Sequence, residues 1–133
     1  MNNKIEPPMS KLIFFVDDDK MILNLLEYTF NKNEFEVKTF KTGEECLAAL
    51  NNQNPDLIVL DHIFEKAETQ LNGMDTLIKI KEVNKAVPVI MLSSQQDLNL
   101  IPEFLNNGAT KYIKKDSFFL DSLTESISLV LPN

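Results

Sequence analysis

Three stretches of this chain are apolar without interruption: Leu12-Ile13-Phe14-Phe15-Val16, Leu57-Ile58-Val59-Leu60, and Val89-Ile90-Met91-Leu92 after Pro88. A strand with one wet face alternates, so short unbroken runs of this kind predict strands buried on both faces of a parallel sheet. Residues 35–40 and 111–115 alternate apolar with polar positions instead and predict strands at the sheet edges. Between the strands the period lengthens to that of a helix. Asp17-Asp18-Asp19 open the first one, with Asp19 as N-cap and Met21, Ile22, Leu25, Leu26 and Phe30 as its apolar positions. Thr42 and Glu45 have capping-box spacing before a helix reaching residue 50, and Gly73-Met74 lead into a helix with Leu77, Ile78 and Ile80 as apolar positions. A short helix is expected from about residue 99 to 106, capped by Asp97 or Asn99, with Pro102 in its first turn and Asn107-Gly108 ending it. Phe119, Leu120, Leu123, Ile127 and Val130 line one face of a last helix over residues 118–131.

Five strands alternating with five helices predict a doubly wound α/β domain built on a parallel sheet. Continuous apolar runs belong in the middle and alternating ones at the edges, which makes strands one, three and four central. With right-handed crossovers the order 2-1-3-4-5 satisfies this, an arrangement of flavodoxin-like type.

Composition narrows the field. At 133 residues, 44% hydrophobic and 25% charged, the chain has the make-up of one ordinary globular domain, expected over residues 11–133. Residues 1–10 are polar, contain Pro7-Pro8 and show no periodicity, and are read as a disordered lead-in. A formal charge of −7, with no basic run, argues against binding nucleic acid or an anionic membrane surface. The single cysteine, Cys46, can form no internal disulfide and is read as a small buried hydrophobe. With no signal peptide or long apolar segment, a cytoplasmic location is expected.

Candidate chemistry collects at the strand ends. Strand one ends on Asp17 and Asp18, strand three on Asp61, strand four on Ser93 and strand five on Lys115, and the 2-1-3-4-5 order projects all four ends over one edge of the sheet. Taken singly, the acids are ordinary capping or turn residues, Ser93 a turn cap, and Lys115 an edge lysine that discourages strand pairing. Their joint occurrence calls for a different explanation.

Over residues 11–131 the chain resembles the receiver domain of a bacterial two-component response regulator. Four pieces in order carry the likeness: Phe15-Val16-Asp17-Asp18-Asp19, Leu57-Ile58-Val59-Leu60-Asp61, Pro88 to Ser93, and Gly108-Ala109-Thr110-Lys111-Tyr112-Ile113-Lys114-Lys115. The resemblance implies Asp61 as phosphoacceptor, Asp18 as a direct Mg²⁺ ligand and Asp17 as an acid acting largely through water. It also implies a metal contact from the backbone carbonyl of Ile63, Ser93 as switch hydroxyl, Lys115 as the phosphoryl-binding base and Tyr112 as switch aromatic. Physical chemistry suits those roles, since clustered carboxylates repel and Mg²⁺ prefers hard oxygen ligands. The implied partners are a sensor histidine kinase or histidine phosphotransfer protein and a downstream protein target. The domain then assists only its own phosphorylation and dephosphorylation and is not otherwise an enzyme. With no output domain after Asn133, it is expected to act alone, by binding a partner or relaying the phosphoryl group.

The chain departs from the family pattern beyond Asp61. Receivers commonly carry Met-Pro at the third and fourth positions after the phosphoacceptor, where Phe64-Glu65 stand here, and the loop to Gly73 is about four residues longer than usual. Lys115-Asp116 replaces the common Lys-Pro step. His62, with no second histidine in the chain, is expected to face solvent or a partner. Ile63 and Gln95 are expected along the path of a hydrolytic water, and an apolar Ile63 to lengthen the life of an acyl phosphate. Two other readings compete: a haloacid-dehalogenase-type phosphohydrolase, in which Asp17-Asp18-Asp19 supply an Asp-x-Asp nucleophile motif, and a receiver-like scaffold that is never phosphorylated. The first leaves Asp61 unexplained, and the second leaves the intact set of acids, hydroxyl and lysine without a purpose.

Overall fold

A computed structural model describes residues 10–32, 34–62 and 70–132, with the backbone alone for 95–97. The expected lead-in over residues 1–10 lies, all but Ser10, outside the described residues. Five strands, β1 (Lys11–Val16), β2 (Phe35–Phe40), β3 (Leu57–Asp61), β4 (Val89–Ser93) and β5 (Lys111–Lys114), form one parallel sheet in the order β2-β1-β3-β4-β5. Five helices connect and follow them: α1 (Lys20–Phe30), α2 (Gly43–Ala49), α3 (Gly73–Val83), α4 (Ile101–Asn106) and α5 (Phe119–Val130). Among the described residues no helix is long and apolar enough to cross a membrane.

The unbroken apolar runs do what their composition demands, because successive side chains of a strand point to opposite faces of the sheet. Ile13, Phe15, Leu57, Val59, Ile90 and Leu92 enter a core under α1 and α5, with Leu26, Leu123 and Ile127. Phe14, Val16, Ile58, Leu60, Val89 and Met91 enter a second core under α2, α3 and α4, with Cys46, Leu77, Ile80 and Phe104. The strands that alternate in sequence, β2 and β5, are the edges.

Several local expectations change in the folded chain. Of the three acids before α1, Asp19 is the N-cap, accepting from the Met21 N–H, and no acid lies in the first turn. The sheet selects Leu23, Leu26 and Phe30 for burial, whereas Met21 is 80% and Leu25 39% exposed. Five apolar positions in that helix cover more than one face, and only packing decides between them. Ile78 turns outward for the same reason. At α2 the Thr42 hydroxyl accepts from the Glu45 N–H, but the Glu45 carboxylate reaches Lys41 N–H, so the expected box is only half built. A complete reciprocal box forms instead at α3, between Asn72 and Asp75. Neither Asp97 nor Asn99 is the N-cap of α4. Residues Gln95–Leu100 wind into a 3-10 turn that runs straight into the helix, whose N-cap is Leu100 with no side-chain cap bond. A helix continued from a preceding turn offers no free N-terminus to cap.

Candidate functional site

The carboxyl edge of the sheet gathers the acids. Register pairs Val16 with Leu60, so Asp17 and Asp61, each one residue further on, emerge side by side from β1 and β3. Carboxylate oxygens of Asp17, Asp18 and Asp61 all lie within 4.8 Å of one another. Asp17 is 1% and Asp61 5% exposed. The Asp17 carboxylate also accepts from the Asp19 N–H at 2.9 Å, which orders the turn into α1.

Lys115 arrives from the far side. Its N–H donates to the Ser93 carbonyl at 2.8 Å, continuing the β4–β5 ladder one residue past the strand. From there the Lys115 Nζ donates to Asp17 Oδ2 at 2.7 Å and stands 3.3 Å from Asp61 Oδ1. One ammonium thus faces two buried carboxylates, and the charges do not balance. Burial pushes the Asp61 carboxyl up, Asp17 pushes it further, and Lys115 only partly opposes them, leaving it at about 8. Burial likewise holds Asp17 above the usual carboxylate range despite its hydrogen bond to Lys115. Burial alone would lower the Lys115 ammonium, but the charges of Asp61 and Asp17 more than reverse this and raise it.

Ser93 is buried at the end of β4, one residue beyond Leu92, which is the register partner of Asp61. Tyr112 of β5 pairs with Met91 of β4, its hydroxyl oxygen is already buried, and its ring stacks on Phe104 of α4 with centroids 6.3 Å apart and an interplanar angle of 13°. Ile63, and the side chain of Gln95, lie outside the described residues.

His62 is the main departure from expectation. It is 7% exposed rather than facing solvent or a partner, and its ring meets Phe104 edge-on, centroids 5.1 Å apart at 71°. The cause is strand parity. The His62 N–H donates to Leu92 O at 3.0 Å, carrying the β3 ladder one residue further, so its side chain follows Ile58 and Leu60 to the α3–α4 face. Reading residues 58, 60 and 62 as one alternating series finds this in the sequence.

Gly73 is a second residue whose role the sequence did not disclose. Its N–H donates to His62 O at 2.7 Å, and a Cβ there would stand 2.5 Å from Asp61 O and closer still to the His62 Cα. The start of α3 thus rests directly on the Asp61–His62 peptide, where only glycine fits. Gly73→Ala is expected to destabilise the protein by about 1–3 kcal/mol, since backbone on both sides must give way. Urea denaturation measures the change, and a shift near zero would mean that α3 can retreat without cost.

A doubly wound α/β domain with three acids and a lysine converging at its carboxyl edge defines a class of acidic-pocket proteins, and the comparisons with known proteins make it specific. Residues 13–128 match the response regulator receiver domain, and the chain belongs to that family. It is 33% identical over 112 residues to the alkaline phosphatase synthesis transcriptional regulatory protein PhoP of Bacillus subtilis, a match covering 80% of this chain and 43% of that protein. The chain therefore spans less than half of that relative. It is 27% identical over 124 residues to sporulation initiation phosphotransferase F of the same organism, covering 93% and 96% of the two chains. Its fold is similar to that of a CheY-like response regulator receiver domain protein from Methanospirillum hungatei, with a TM-score of 0.79 and 26% identity over 91% of this chain and 94% of the other.

Proposed function

We propose that this domain is a phosphorylation-controlled switch in which Asp61 takes a phosphoryl group from a histidine kinase or a histidine phosphotransfer protein. The observation that carries the reading is the Lys115 ammonium placed between two buried carboxylates, 2.7 Å from Asp17 and 3.3 Å from Asp61. It leaves a surplus of negative charge that a hard divalent cation answers. The donor set is all carboxylate oxygen, which fits Mg²⁺. Asp18, Asp61 and, less directly, Asp17 would hold the ion; the expected Ile63 carbonyl lies outside the described residues. Bound there, Mg²⁺ supplies charge that favours the ionised carboxylates and offsets the phosphoryl oxygens.

The remaining chemistry belongs to the chain. Burial and the neighbouring Asp17 raise the Asp61 carboxyl, so without a cation a proton competes for the oxygen that must act as nucleophile. One carboxylate oxygen then attacks phosphorus. A P–O bond forms, the bond from phosphorus to the donor's leaving atom breaks, and the leaving group departs with the electron pair. Lys115 offsets the charge of the equatorial phosphoryl oxygens. The resulting acyl phosphate offers acceptors to Lys115 and Ser93. Two charge-assisted hydrogen bonds, at roughly 1.5–3 kcal/mol each, supply about what a population shift from mostly one state to mostly the other requires. The surface so altered is a partner-binding face around α4, β5 and α5. Tyr112 need not swing inward for this, because its hydroxyl is inside already.

Intact mass after acetyl phosphate treatment tests the reading. One added phosphoryl group is expected with Mg²⁺, none under EDTA, and none in Asp61→Asn. Modification that survives that substitution would reject Asp61 as the acceptor.

A further inference from the structure

Among the described residues, His62 is a buried titratable side chain next to Asp61 that takes no part in the proposed chemistry. We infer that His62, Phe104 and Tyr112 form a packed relay that carries the phosphorylation state of Asp61 to the α4–β5 face, with Phe104 as its positioning residue; this rests on Asp61 being the phosphoacceptor.

The relay is continuous. His62 is covalently next to Asp61 and is held on both sides of its backbone, by Leu92 O at 3.0 Å and by the Gly73 N–H at 2.7 Å. Its ring meets Phe104 at 5.1 Å, and Phe104 meets Tyr112 at 6.3 Å with the rings nearly parallel. Phe104 is 0% exposed, so it has no solvent to yield into. Close-packed side chains pass on a displacement rather than absorb it. The element that receives it is lightly anchored: α4 has six residues, no side-chain cap and Phe104 as its buried residue. Leu105 follows Phe104 on the same helix and is 47% exposed, so a shift of the Phe104 ring re-aims an apolar side chain on the outer surface.

This route differs from one through Ser93. Ser93 reaches β5 at Lys114, on the strand pairing itself. His62 and Phe104 reach Tyr112 from the helix side of the sheet. The contact between His62 and Phe104 is edge-on ring packing, so the relay requires a ring at residue 62.

The test uses Tyr28→Phe protein, in which Tyr112 is the remaining tyrosine, with labelled tyrosine rings observed by NMR before and after acetyl phosphate and Mg²⁺. Intact mass is read on the same samples. In this background a phosphoryl group is added and the Tyr112 ring signal moves. Phe104→Leu and His62→Ala are expected to take the phosphoryl group to the same extent while the Tyr112 shift falls severalfold, and His62→Phe to restore it. A full Tyr112 shift in both Phe104→Leu and His62→Ala overturns the relay. So does a loss of the shift in His62→Phe equal to that in His62→Ala. If Phe104→Leu fails to fold, the two His62 variants decide. Absence of any phosphoryl group in the parent protein overturns the phosphoacceptor reading, which mass alone detects.

Discussion

Metal-free protein is expected to lose stability steadily as pH rises from about 4 to about 8, and Asp61→Asn to remove most of that loss. The sign follows from proton counting. The Asp61 carboxyl is raised from 3.8 to about 8 in the folded state, so across that window the folded chain holds a proton that the unfolded chain has released. Stability is present in full below the unfolded pKa and declines until the folded pKa is passed. Asp17, also raised, acts in the same direction. The shift at Asp61, from 3.8 to about 8, sets an upper limit of roughly 6 kcal/mol on its share, since each pKa unit corresponds to about 1.4 kcal/mol. Urea denaturation in EDTA at about pH 5 and pH 8 reads both proteins. The variant gains on the parent at the higher pH, and equal slopes in the two would show that Asp61 is not destabilised when charged. Mg²⁺ at about one hundred times its dissociation constant restores about 2.7 kcal/mol to the parent. It is expected to restore less to Asp61→Asn, which has lost one donor of the cluster.

Lys115→Met is expected to be the most damaging single change at the site. The methionine fills much the same space, so its effect reports the charge. Lys115 has 23% of its side chain exposed, whereas the Asp17 side chain facing it has 1%. Removing the ammonium leaves two buried carboxylates with no cation between them, and breaking a buried pair in this way costs roughly 3–5 kcal/mol. The cost is largest in EDTA near pH 8 and shrinks towards pH 5, as protons take over part of the neutralisation. Denaturation midpoints across that range check the expectation. A loss independent of pH would instead assign Lys115 a packing role. Phosphorylation of the variant by acetyl phosphate is expected to be slow even where it is folded, because nothing in its place balances the phosphoryl oxygens.

The architecture was legible because burial on two faces leaves a direct mark on composition. Runs such as Ile13-Phe14-Phe15-Val16 can satisfy only a strand covered on both sides, and each residue goes to the core that its parity requires. Asp17, Asp61 and Ser93 were legible as candidates because each ends such a strand and Lys115 because it follows the alternating edge strand, and the strand order brings the ends together. Helix faces were less so. In α1 Met21 and Leu25 satisfy the helical period as well as Leu23 and Leu26 do, and nothing local says which pair meets the sheet. The cap of α4 was misread because the 3-10 turn before it depends on how β4 is followed, not on Asp97 or Asn99.

The sequence by itself determined the sheet, its order and the roster of charged groups, since these follow from side-chain alternation and from which residues terminate the strands. Only the tertiary structure decided what those groups feel. One lysine facing two buried acids, and a carboxyl pushed up to about 8, depend on distances between residues far apart in the chain. The inward turn of His62 against Phe104, and the seating of Gly73 on the Asp61–His62 peptide, depend on where α3 and α4 come to rest. Local sequence specifies which chemistry is carried to an edge; packing sets the dielectric, the pairing and the contacts under which that chemistry operates.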